Sequence, residues 1–96
     1  MEKKPLKWAK RAQIDRQRIA EFYTEEASEI VAYEALETIK SAASKIKANP
    51  LAYRTGKRSG TREMVMRRFP YVIVYRILPT RITILRVLHQ ALRYFN

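Results

Sequence analysis

The second half of the chain concentrates side chains that bind anions. Residues 50–96 contain nine arginines and one lysine, and Glu63 is their only acidic residue. A guanidinium presents a planar fork of donors that suits a phosphate or a carboxylate. His89 and Tyr94 lie in the same half and are of residue types that transfer protons. This set could hold a phosphate group or an acidic partner, and could supply a proton donor or acceptor.

The residue content excludes several common kinds of active site. The chain has no cysteine, which excludes thiolate zinc sites and cysteine nucleophiles. Its single histidine argues against a metal site built from several histidines. The sequence contains no glycine-rich nucleotide loop, serine-hydrolase motif or zinc-protease motif. Glu63 has no second carboxylate near it in sequence, and beside Arg62 it indicates an ion pair. We therefore expect no metal, no cofactor and no small-molecule ligand.

The length and hydropathy of the chain favour one soluble domain. Its 96 residues allow a single domain over 1–96, and 47% of them are apolar. Residues 1–13 contain no apolar run, and the longest apolar stretch, residues 71–75, is far shorter than a membrane span. The sequence predicts a cytoplasmic protein that does not enter a membrane.

The formal net charge of +11 is unevenly distributed. Residues 1–20 and 50–96 are strongly basic, whereas residues 21–49 carry more acidic than basic side chains. Like charges at this density repel one another, so an acidic protein or a nucleic acid should bind and stabilise the fold. A basic face kept for solubility is the simpler alternative, but solubility does not require arginine rather than lysine.

The first half predicts a strand and two helices. Residues 6–8 alternate as a short edge strand does, and residues 9–27 indicate a helix whose apolar stripe includes Phe22 and Tyr23. Residues 29–48 place small and apolar side chains at spacings of three and four, as an amphipathic helix does. Thr24 or Ser28 is suited to cap the second helix. The short connection predicts an antiparallel helical hairpin.

The second half predicts β-structure after a polar loop over residues 51–60. Short apolar runs over residues 61–69, 71–78 and 82–89 indicate three consecutive strands with short connections. Such strands form an antiparallel meander, and the helical hairpin should cover one of its faces. The predicted fold class is therefore α+β.

Three sequence blocks in this order of elements carry a family resemblance. Residues 60–63 read GTRE, residues 69–76 read FPYVIVYR and residues 87–89 read VLH. Together they resemble the RelE/ParE superfamily of bacterial type II toxins, and the chain is more similar to the ParE branch. The resemblance implies a cognate antitoxin whose extended, largely helical segment wraps the toxin. The basic charge of residues 50–96 predicts that this antitoxin is acidic. The resemblance also implies one of two activities, ribosome-dependent mRNA cleavage as in RelE-like members or poisoning of DNA gyrase as in ParE-like members.

The positions that matter to a RelE-like nuclease differ here. The phosphate-binding arginine of the central strand falls on Val72, and a later arginine falls on Leu92 in an ungapped alignment. A gap would bring Arg93 and Tyr94 into place, and a nuclease would then use His89, Arg93 and Tyr94 as catalytic residues. Such a nuclease binds the ribosome and mRNA and needs no metal.

The ParE-like pattern is carried by Tyr75-Arg76, Leu88-His89 and the basic tail. It implies a toxin that binds DNA gyrase and breaks no bond itself. On this resemblance the predicted target-binding residues are Arg62, Arg76, Arg86, His89 and Arg93. Alternation along the strands predicts that Arg76 and Arg86 emerge from the sheet face opposite the helices, or at its rim. A third alternative is a non-toxic, basic domain that binds nucleic acid.

Overall fold

A computed structural model describes residues 4–91 of the chain. The described part begins with strand β1, followed by helix α1 and helix α2, and continues with a short 3-10 helix and four further strands. Their bounds are β1 Leu6–Trp8, α1 Lys10–Glu26, α2 Glu29–Ala48, the 3-10 helix Pro50–Ala52, β2 Arg54–Thr55, β3 Arg62–Val65, β4 Tyr71–Ile77 and β5 Ile82–His89. Neither α-helix is long and apolar enough to cross a membrane.

The predicted helical hairpin is confirmed. Two residues connect α1 to α2, and the side chain of Ser28 accepts a hydrogen bond from the Val31 amide at 3.1 Å. This cap supplies an acceptor to the first turn of α2, whose amides have no partner within the helix. Glu29 in the first turn and Lys45 and Lys47 in the last turn match the helix dipole.

Replacing Ser28 with alanine should lower the free energy of unfolding by about 1 kcal/mol, because the Val31 amide loses its acceptor. Urea unfolding followed by circular dichroism would measure this change. Ser44→Ala on the exposed face of α2 is the matched control, and we expect it to stay within about 0.5 kcal/mol of the parent chain. Equal stability of the two variants would show that the cap contributes nothing.

The predicted three-stranded meander is confirmed as the centre of a larger mixed sheet. The strand order is β1-β5-β4-β3-β2, and β3, β4 and β5 pair antiparallel. The edge strand β1 pairs parallel with β5, from Leu6 opposite Ile82 to Trp8 opposite Ile84. Strand β2 lies in the segment predicted as a polar loop. Its exposed side chains carry no hydrophobic signal, and only its backbone pairing with β3 defines it.

The hydrophobic core lies between the helical hairpin and one face of the sheet. Alanines of both helices allow the backbone to approach the sheet closely, and larger side chains from β4 and β5 fill the space. The fully buried members include Ala12, Ala35, Ile39, Ile46, Ile73, Tyr75 and Ile84.

One residue of the predicted α1 stripe does not belong to the core. Phe22 is 52% exposed. Its neighbour Tyr23 points inward instead and makes an edge-to-face contact with Phe69, with the ring centroids 5.3 Å apart. Adjacent helical residues point about 100° apart, so Tyr23 and Phe22 cannot both face the sheet.

Candidate functional site on the open face of the sheet

The sheet face opposite the helical hairpin contains a cleft of about 440 Å³. Side chains alternate along β4, so Ile73 and Tyr75 enter the core whereas Val74 and Arg76 line the cleft. The pairing between β4 and β5 shifts by one residue: Val74 lies opposite Arg86, whereas the next residue of β4, Tyr75, lies opposite Ile84. Leu85 is therefore an extra residue in β5. This bulge turns the adjacent residues Leu85 and Arg86 towards the same face.

Basic side chains from four parts of the chain surround the cleft. They come from the start of α1, the loop before β3, and strands β4 and β5, and they are Lys10, Arg11, Lys57, Arg58, Arg76 and Arg86. The floor between them is aliphatic and includes Val74, Leu85 and Leu88. A low-dielectric floor beneath charges of one sign concentrates their field in the cleft.

Acidic groups offset only part of this charge. Glu63 is the acidic residue that lines the cleft among the described residues. It is 4% exposed, and its carboxylate binds the Arg54 guanidinium at 3.1 Å. The cleft therefore has a strongly positive rim and attracts anions.

Arg86 is oriented by a carboxylate that sequence periodicity did not indicate. Its Nε and Nη2 donate to the two oxygens of Asp15 in α1 at 2.8 and 3.1 Å. The Val87 amide donates to the same carboxylate at 2.9 Å. Beyond Ile84, β5 has no pairing with β1, and Asp15 takes the place of a strand partner there. The hydrogen bond to Asp15 raises the pKa of Arg86.

Arg76 keeps unused hydrogen-bonding capacity within the part of the chain that the structure describes. Its Nε is buried without a hydrogen-bond partner. Its Nη2 donates to the Ser59 carbonyl at a long 3.5 Å. Gly60 adopts a φ of +78° beside it, a conformation that glycine accepts without steric cost. The turn before β3 therefore lies against this guanidinium and leaves it short of acceptors.

The structure does not bring the predicted target-binding residues together. Arg76 and Arg86 line the cleft. Arg62 lies opposite Tyr75, on the helix side of the sheet, and donates to the Tyr53 carbonyl at 2.7 Å. His89 ends β5. Its ring packs edge-to-face against that of Tyr71, with the ring centroids 5.7 Å apart, and its Nδ1 accepts a hydrogen bond from the Ala91 amide at 3.1 Å.

The predictions for Arg93 and Tyr94 lie outside the described residues. Four of the basic residues at the cleft were not singled out from the sequence, namely Lys10, Arg11, Lys57 and Arg58. Their positive charge was visible, but no periodicity places a helix start beside a distant loop. The described part of the chain contains no group of three or more histidine, cysteine, aspartate or glutamate residues that could hold a metal ion.

Gly56 determines the path of the loop that carries Lys57 and Arg58. A Cβ at this position would overlap Oγ1 of the buried Thr61. That hydroxyl donates to the Arg58 carbonyl at 2.6 Å, and the Gly56 amide donates to the Thr61 carbonyl at 2.8 Å. A side chain at position 56 must therefore displace Thr61.

The variant Gly56→Ala should lower the free energy of unfolding by about 1–3 kcal/mol, as overpacking of a tight site does. Urea unfolding would measure the loss, with Ser59→Ala in the same exposed loop as the control. We expect the control to change stability by less than about 0.5 kcal/mol. A Gly56→Ala protein as stable as the control would show that the contact with Thr61 relaxes freely.

Comparisons with known proteins agree with this architecture. Residues 6–94 match the sequence model of the family described as the ParE toxin of the type II toxin-antitoxin system parDE. A search of curated proteins returned no match.

Solved structures with the same fold include three toxin-antitoxin complexes. The chromosomal ParDE system of P. aeruginosa aligns with a TM-score of 0.82 and 27% identity, over 88% of this chain and 92% of that one. The RelBE2 complex of Mycobacterium tuberculosis aligns with a TM-score of 0.65 and 22% identity, over 92% and 99%. The DinJ-YafQ complex of E. coli aligns with a TM-score of 0.60 and 10% identity, over 95% and 97%.

The last two similarities show the fold, whereas the family match covers nearly the whole sequence and agrees with the three blocks around Glu63, Tyr75 and His89. The chain therefore belongs to the ParE toxin family of type II toxin-antitoxin systems.

Proposed function

We propose that this toxin acts by binding DNA gyrase and poisoning its cleaved DNA complex, and that it breaks no bond itself. Membership of the ParE family supports the gyrase branch over the nuclease branch. The observation that carries the proposal is the complete burial of Val72, which is 0% exposed. The resemblance to RelE-like nucleases places their phosphate-binding arginine at this position. An aliphatic, fully buried side chain offers no donor to a scissile phosphate.

Two tyrosines of β4, Tyr71 and Tyr75, are poorly placed for proton transfer. Burial raises the pKa of Tyr75 to about 12, although the charge of Arg62 lowers it. Burial and a hydrogen bond with Tyr23 raise the pKa of Tyr71. A general acid or base works best with a pKa near the working pH, so both tyrosines are poorly suited to the role. Their side chains belong to the core, whereas the residues of β4 that line the cleft are Val74 and Arg76.

The proposal includes a cognate antitoxin that is acidic and partly disordered. The solved structures with this fold include toxin-antitoxin complexes, and a net charge of +11 favours an acidic partner. A disordered chain that folds on binding can cover a large surface of a small toxin. Neutralisation by such a chain should weaken as salt is raised.

Supercoiling and DNA cleavage by purified gyrase test the proposal. The toxin should inhibit supercoiling and increase the amount of cleaved DNA trapped on the enzyme, and adding the cognate antitoxin first should prevent both effects. A purified translation reaction provides the second arm, in which mRNA should stay intact. Unchanged gyrase activity together with cleaved mRNA would replace this proposal with a ribosome-dependent nuclease. Unchanged gyrase activity with intact mRNA would favour a non-toxic, basic nucleic-acid-binding domain.

A further inference from the structure

We propose that the basic cleft binds the phosphodiester backbone of duplex DNA directly. This assignment rests on the proposed function and deepens it, because it gives the toxin a contact with the DNA that gyrase holds. The cleft lies on the sheet face opposite the hydrophobic core, and the first turn of α1 reaches its edge. Its rim is formed by Lys10, Arg11, Lys57, Arg58, Arg76 and Arg86.

The density of positive charge indicates a polyanion as the occupant. Six basic side chains converge on a cleft of about 440 Å³. Asp15 pairs with Arg86, and Glu63, the acidic residue that lines the cleft among the described residues, is bound to Arg54, so a positive excess is left at the cleft. Duplex DNA carries about one negative charge per 1.7 Å of its axis. An extended acidic peptide presents carboxylates to one side only about every 6–7 Å, since successive side chains alternate. Duplex DNA therefore carries more negative charge per unit length than such a peptide, which suits a cluster of six basic side chains.

Two arginines are positioned to meet phosphate oxygens. Asp15 engages Nε and Nη2 of Arg86, and Nη1 makes no hydrogen bond within residues 4–91. Within residues 4–91, Arg76 makes one long hydrogen bond, to the Ser59 carbonyl. Ordered guanidinium groups with spare donors lose little side-chain entropy when they bind a phosphate.

The lining of the cleft favours a duplex over a single strand. Proteins that hold single-stranded nucleic acid stack its bases on aromatic side chains. None of the described residues that line this cleft is aromatic, and its floor is formed by aliphatic side chains such as Val74, Leu85 and Leu88. Contacts to the backbone alone suit a duplex, whose bases are already stacked.

Fluorescence anisotropy of the purified full chain with a labelled duplex of about 20 base pairs tests the site. We expect affinity to fall steeply between about 50 and 200 mM salt. Arg11 and Arg58 are exposed, so Arg11→Ala/Arg58→Ala should keep the native circular dichroism spectrum. It should weaken binding at low salt by about tenfold or more and reduce the salt slope by about 2. Arg11→Gln/Arg58→Gln replaces it if the alanine pair unfolds.

The control is Lys40→Ala/Lys47→Ala, which removes the same charge from the exposed surface of α2. It should change affinity by less than about twofold. The assignment is overturned if the chain does not bind the duplex, if the two double variants weaken binding equally, or if single-stranded RNA or a polyglutamate peptide binds more tightly than the duplex. This assay contains no gyrase, so a chain that binds DNA but leaves supercoiling unchanged would contradict only the gyrase proposal.

Discussion

Replacing Asp15 with alanine is expected to lower the free energy of unfolding by about 3 kcal/mol. Asp15 is 9% exposed and accepts three hydrogen bonds, two from Arg86 and one from the Val87 amide. Its removal leaves a half-buried guanidinium without its counter-ion and a strand amide without an acceptor. Breaking one side of a buried ion pair costs more than the pair contributes, because the remaining charge is still desolvated.

Thermal and urea unfolding measure this loss, and in a chain of 96 residues the melting temperature should fall by about 12 °C or more. The matched variants are Arg86→Ala and the double variant Asp15→Ala/Arg86→Ala. The double variant should cost less than the sum of the two single variants, because it removes both charges together. An Asp15→Ala protein within about 0.5 kcal/mol of the parent chain would contradict this reading of the pair.

Reversing charge at the rim of the cleft is expected to abolish toxicity without unfolding the protein. Arg11→Glu/Arg58→Glu introduces two carboxylates at exposed positions of the rim, one in α1 and one in the loop before β3. They would repel both DNA phosphates and an acidic surface of the target. We expect the concentration of toxin that half-inhibits supercoiling to rise by at least about tenfold, and growth arrest on induction to disappear.

The matched control for the charge reversal is Lys40→Glu/Lys47→Glu, which makes the same change in net charge on α2. It should retain growth arrest and half-inhibit gyrase within about twofold of the parent chain. Circular dichroism and the melting temperature establish that both variants are folded. If the cleft variant stays fully toxic, the cleft is not the surface that contacts the target.

Most of the fold was predictable because its elements carry strong local signals. The apolar positions of α2, the cap at Ser28 and the apolar run of β4 all indicate the observed structure. Strand β2 was not predictable, since its two exposed residues are defined by backbone pairing with β3 alone. The outward position of Phe22 depends on which of two adjacent aromatic residues meets Phe69, and helical periodicity does not decide this.

The candidate site was predictable only in part. The arginine content indicated an anion-binding surface, and alternation along β4 indicated that Arg76 faces away from the helices. Simple alternation would place Leu85 and Arg86 on opposite faces, but the bulge turns both to the cleft. The partner of Arg86 is Asp15, a contact across most of the chain that local patterns do not reveal. The parallel pairing of β1 with β5 likewise brings the start of α1 beside the cleft.

Pulse-labelling of DNA and protein synthesis in a bacterial host, just after induction of the chain, tests the central claim most directly. A gyrase poison should stop DNA synthesis first, while protein synthesis continues. The Arg11→Glu/Arg58→Glu variant, induced to the same level, should leave both rates unchanged. A fall in protein synthesis that precedes any fall in DNA synthesis would contradict the account. It would favour a nuclease, with His89, Arg93 and Tyr94 as its catalytic residues.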